Sequence, residues 1–168
     1  MTQSEPEVWL RGPLPEYIDE LQPVAHSLLQ VREEVEAVVS LTSAQLWSRP
    51  GGAASIGFHL KHLAGSLDRL MTYARGKQLS VPQYEYLAAE EHQQAETTDV
   101  LVRQAQAAID RALDQVRRTP LCTLDESREV GRHRLPSTVL GLLFHAAEHA
   151  QRHSAQIITT AKFVRANG

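Results

Sequence analysis

The sequence predicts an all-α protein, an up-and-down bundle of four long helices. Three observations lead there. Apolar residues recur at helical spacing through four long stretches, aromatic residues make up only 5% of the chain, and β-branched residues do not alternate with polar ones. A length of 168 residues fits one domain spanning 1–168, enough for a single substantial core.

Residues 1–16 carry Pro6, Pro13 and Pro15 and read as an extended N-terminal arm, with Trp9 available to anchor it. The first long helix covers about residues 22–41, with Pro23 tolerated in its first turn and Val24, Leu28, Val31, Val35, Val38 and Val39 on its buried stripe. In the following loop, LTSAQLWSRPGGAAS, Leu46 and Trp47 are expected to plug one end of the core and Pro50-Gly51-Gly52 to force a turn. Ser55 is the candidate N-cap of the second long helix, about 55–75, which Gly76 ends. Its stripe is Ile56, Leu60, Leu63, Leu67, Leu70 and Met71. His59 sits at the edge of that stripe. His62 lies further round, beside Ser55, Phe58, Ser66, Arg69 and Tyr73, a mixed face suited to a pocket. Ser80-Val81-Pro82 opens a short helical segment. The polar stretch EEHQQAETT then leads into a third long helix, about 98–118, with Pro120 just beyond its end. Residues 121–136, LCTLDESREVGRHRLP, read as a connector, acidic first and then basic, and Pro136-Ser137 starts a last helix reaching about 165. That helix is apolar on two sides: Leu142, Ala146, Ala150 and Ile157 on one, Leu140, Phe144, Ala147 and Ile158 on the other. The second stripe points to a homodimer.

Composition removes several functions. Seventeen basic residues against twenty acidic ones, a net charge of −3, give no reason to expect nucleic-acid binding. Cys122 is alone, so no internal disulfide forms and a reducing, cytoplasmic setting is expected. The N-terminus is unlike a signal peptide, and no apolar run approaches the ~18 residues that would span a membrane.

Histidine carries the chemistry. In residues 142–157, LLFHAAEHAQRHSAQI, His145, His149 and His153 stand at i, i+4 and i+8. Neighbours on successive turns can close on one cation, but the outer pair lies ~12 Å apart along the axis. Two of the three therefore bind an ion only with a third ligand from another helix. A lone H-x-x-x-H pair on an Ala-rich helix arises by chance; the second pair, His59 and His62, on another apolar stretch strengthens the metal reading.

These residues resemble the DinB/YfiT-like family of metalloenzymes. There a Trp/Pro/Gly-rich loop leads to a helix reading S-I-x-x-x-x-x-H-L, and the final helix reads H-x-x-x-H-x-x-Q-I. The present chain has SIGFHLKHL and HAQRHSAQI, in that order. The resemblance implies a four-helix bundle, frequent dimers, and one divalent ion (nickel, zinc or iron) held by His62, His149 and His153. His59 and His145, one turn from the motif histidines, are the alternates. Relatives use the ion to activate a low-molecular-weight thiol or a water, as thiol-dependent transferases, isomerases or hydrolases, which implies a small-molecule substrate.

Each ligand ring is expected to donate its other N–H to an acceptor. Glu148, Gln151 and Gln156 are the helix neighbours considered for this, though Glu148 equally suits pairing with Arg152 in solvent. Arg132, His133 and Arg134 meet an anionic substrate or form a solvated loop. No phosphate-binding glycine loop, G-x-S-x-G elbow or Cys–His pair appears. Two classes of function follow: a metal-dependent transferase or hydrolase, or a non-catalytic helical dimer, metal-stabilised or metal-free, that binds a ligand or partner.

Overall fold

The structure, a computed structural model, describes residues 5–93 and 95–166. Among these, six α-helices and one two-stranded antiparallel sheet are present, so the chain is mostly helical. Residues 1–4 of the expected arm lie outside the described residues. The rest of that segment is not wholly extended, because Val8–Leu10 forms a 3-10 turn. Val8, not Trp9, is its anchor. Val8 is buried and donates its N–H to Gln30 Oε1 at 2.9 Å, Arg11 makes a two-pronged contact with Glu33 at 2.6 and 2.8 Å, and Trp9 is 61% exposed.

α1 runs Gln22–Glu34 with Pro23 in its first turn, then tightens into a 3-10 segment Val35–Val38 instead of continuing to 41. A valine-rich end, stiff at χ1 and crowded against the preceding turn, favours that tightening, and Val39 falls outside the core. The stretch expected as loop contains a short helix, α2 (Ser43–Trp47), held by a capping box between Thr42 and Gln45. Leu46 on it is fully buried. Trp47 lies flat on the next helix because Gly57 has no side chain; a Cβ there would meet the indole ring at 2.7 Å.

α3 (Ile56–Ala74) starts on Ser55, whose Oγ accepts the Phe58 N–H at 3.1 Å, and ends before Gly76 at φ +71°. α4 (Val81–Ala89) crosses α3 and contributes no buried residue of its own. Polar bonds fasten it: Lys61 Nζ donates to the carbonyls of Ala89 and His92 at 2.7 and 3.1 Å, and Gln83 Nε2 donates to Asp68 at 2.7 Å. α5 (Thr98–Arg117) buries Leu101, Ala105, Ala108, Ile109, Ala112 and Val116 at helical spacing, and Val102 rather than the expected Val100 completes the buried face.

Within this all-α chain the stretch expected as a connector forms a small hairpin, β1 (Ser127–Val130) and β2 (Leu135–Thr138), paired from Ser127↔Thr138 to Val130↔Leu135 and reaching into the expected start of the last helix. Each strand has four residues and one large apolar side chain, too few to register as alternation. Gly131 at φ +70° and Arg134 at φ +51° turn the hairpin. α6 (Val139–Ala166) therefore begins after Pro136, which sits in β2. Its first donors are satisfied by the chain before the hairpin, Val139 N–H to Glu126 O at 3.1 Å and Leu140 N–H to Leu124 O at 2.9 Å.

The long helices share one core. α3 packs against α5 and α6, and α1 packs against the same two. No helix among the described residues is long and apolar enough to cross a membrane.

Candidate metal centre

α3 and α6 pack side by side, and their histidines meet where they do. His62 faces His149 and His153, with ring centroids 5.1 and 4.6 Å away, and the latter two lie 4.6 Å apart on successive turns. One ring nitrogen from each falls within 4.8 Å of the other two. Three nitrogens bonded to one tetrahedral ion at ~2.0–2.1 Å are ~3.3 Å apart, so small side-chain rotations close the group on a cation. The three are positioned to bind a metal ion.

The two alternates lie outside this group. His59 turns to His153, Nδ1 to Nδ1 at 2.9 Å. One of these nitrogens must carry the proton; with His153 as donor, its Nε2 keeps a free electron pair. His145 is half exposed, its Nδ1 3.5 Å from Glu148 Oε2. Its ring is tilted against that of His149, with centroids 5.5 Å apart.

None of the three expected supporting residues is bonded to the rings of His62, His149 or His153. Glu148 pairs with Arg152 at 2.6 Å, Gln151 donates to Ser27 O at 3.0 Å, and Gln156 is exposed. The acceptor for His62 is Glu90, just past the end of α4: Oε2 receives the Nδ1 proton at 2.6 Å. Glu90 is 1% exposed, and its Oε1 accepts from Arg69 at 2.5 Å. Burial of a carboxylate is costly unless it is paired and hydrogen-bonded, and here both oxygens are used. Gly65 makes the room, since a Cβ there would strike Glu90, Arg69 and Tyr86. With its Nδ1 proton held, His62 presents Nε2 as an electron-pair donor. Phe58 stacks on its face at 5.3 Å. Within EEHQQAETT nothing local separates buried Glu90 from exposed Glu91; only the crossing of α4 over α3 does.

Three rings, those of His59, His149 and His153, are kept neutral. Burial first, and then the neighbouring His62, lowers the pKa of His59 and His149 to about 4. The same causes bring His153 to about 3. Neutral imidazole is the form that binds metals. His149 Nδ1 is buried with no hydrogen-bond partner. An unsatisfied buried polar atom costs about 1–3 kcal/mol, which fits a ring whose place is fixed by a ligand the chain does not itself supply.

A cavity of about 480 Å³ opens on His62 and His149. Ser66, Arg69 and Tyr73 of α3 line it, as the mixed face of that helix suggests, together with Tyr84 and Leu87 of α4 and the hairpin turn Gly131–His133. The basic turn thus stands over the histidines, except that Arg134 points to Glu129 at 2.5 Å. A larger cavity of about 570 Å³, between α3, α4 and α5, contains none of the histidines. Cys122 is exposed on a separate turn. The sequence profile of the DinB superfamily matches residues 27–157, which include all of α3 and the histidine-bearing part of α6. No curated protein matches the chain significantly.

Proposed function

Because the chain belongs to the DinB superfamily, we propose that it is a metal-dependent enzyme in which His62, His149 and His153 hold one divalent ion of nickel, zinc or iron. The observation that carries this reading is the convergence of three imidazoles from two helices, two of them lining a cavity large enough for a small molecule. When bound by three histidines, such an ion keeps open positions and supplies Lewis acidity that makes a thiol or a water a stronger nucleophile near neutral pH. The reaction class is transfer to or from a low-molecular-weight thiol, or hydrolysis.

The protein's own part is positional. Glu90 holds the Nδ1 proton of His62, and with His153 as donor to His59 both rings leave their other nitrogen as the electron-pair donor. Phe58 excludes water from one face of His62. The up-and-down four-helix bundle belongs to the same reading, supported by four long helices on one core.

A homodimer through the outer face of α6 is a further part of it, supported by Phe144, 61% exposed, beside half-buried Leu140 and Ile158. Ala147, expected in that stripe, is in the core instead. The same exposed face would serve the alternative, a metal-stabilised dimer without turnover.

The test is metal analysis of untagged protein, followed by a screen of thiol-dependent transfer and hydrolysis. Wild type should carry one ion per chain and His149→Ala essentially none. Equal metal content in the two sinks the ligand assignment, and one ion without any activity favours the non-catalytic dimer.

A further inference from the structure

The cavity beside the histidines is one-signed. No Asp or Glu lines it, while Arg69, Arg132 and His133 do. Arg69 is already matched by Glu90. Arg132 has no carboxylate partner among the described residues, whereas Arg128 and Arg134 on the same hairpin pair with Glu126 and Glu129. Its guanidinium is held over the Tyr84 ring, 5.3 Å from the centroid, at cation–π distance. Tyr73 of α3 lines the same cavity beside Tyr84 and Gly131. The cavity wall therefore holds both a guanidinium without a carboxylate partner, set on an aromatic ring, and two of the three clustered histidines, His62 and His149. Leu70, Leu79 and Leu87 supply apolar wall.

We propose that this cavity is a seat for a carboxylate-ended molecule with an apolar or aromatic body. The carboxylate lies on Arg132, the body on Tyr84 and the leucines, and the far end reaches His62 and His149. A guanidinium presents paired donors that match both oxygens of a carboxylate, and a wall without acids adds no repulsion. The orientation rests on the metal-dependent reading above, since it makes the histidine end the reacting end. The substrate and a carboxylate-bearing thiol share this chemistry.

The experiment is calorimetric titration of zinc-loaded wild type, Arg132→Gln and Arg134→Gln with phenylacetate, phenylacetamide and N-acetylcysteine, with zinc content measured on the same preparations. Expected are binding of at least one acid, affinity for phenylacetamide about tenfold weaker than for phenylacetate where that acid binds, a loss of about tenfold in R132Q, and little change in R134Q. Arg132 dependence of phenylacetate gives the seat to the substrate; dependence of N-acetylcysteine alone gives it to the thiol. The proposal is overturned if neither acid binds up to about 10 mM, if R132Q binds both acids as wild type does, or if R134Q weakens them as much. Acid binding that needs zinc but not Arg132 places the anion on the ion, which overturns the seat and leaves the metal reading intact. Arg132-dependent binding to protein that takes up no zinc does the reverse.

Discussion

Glu90 is the residue on which the centre turns, because it satisfies His62 and Arg69 at once in a nearly dry environment. Glu90→Gln keeps the shape and an acceptor oxygen but removes the charge. Loss of a partner behind a metal ligand typically costs ~10–100-fold in affinity, and zinc affinity should fall by that order. Competition titration against a chromophoric chelator measures it, and unchanged affinity would show that Glu90 matters only to packing. The pairing of His149 with His153 is legible in the sequence because i, i+4 spacing on a helix is enough to make two rings neighbours. Glu90 is not, for its partner His62 lies 28 residues away and meets it only after α4 has folded back.

Among the elements, the long helices could be read from their periodicity and stops: Ser55 caps α3, Gly76 ends it, and Pro120 follows α5 closely. The hairpin could not, since four-residue strands carry little pattern and their stability comes from being stitched to the start of α6. α2 had a usable sign, the T-x-x-Q of its capping box, inside a stretch dominated by Pro and Gly. The outer face of α6 makes its own prediction. If Phe144 is a dimer contact, wild type sediments as a dimer at micromolar concentration and Phe144→Glu as a folded monomer with the same helical circular dichroism. A wild-type monomer removes the dimer from the reading.

For the whole molecule, the buried histidines set an acid limit on the metal-free fold. His59, His149 and His153 titrate at about 4, 4 and 3 in the folded chain because burial disfavours their charged forms. Unfolded, each titrates near ~6.5, so below that pH the unfolded chain takes up protons the folded one refuses. Their share of stability is therefore whole above about pH 6.5 and drains away as the pH falls through about 4. Urea unfolding of chelated protein between about pH 7.5 and 4.5 should show a declining midpoint, with a shallower slope in His149→Leu. Identical slopes would mean that His149 does not titrate low. The helical stripes bury enough aliphatic surface that unfolding should stay cooperative without metal, so chelator lowers the midpoint near neutral pH but does not abolish the transition.

α4 is tied to the body by polar bonds and buries nothing within its own span, with Val81 and Leu87 left exposed. Such an element is the first to lift off in native-state fluctuations, with a free energy below that of global unfolding. When it lifts, Glu90 leaves with it and His62 loses the partner that orients its ring. Reciprocity then requires that an ion on the three histidines suppress the lifting by the same factor that lifting weakens the ion. Amide hydrogens of residues 84–89 should exchange faster than those of residues 60–67 in chelated protein, and slow selectively when zinc is added. Uniform slowing along the chain would mean the ion stabilises the molecule only as a whole, with α4 no more than a passive cover.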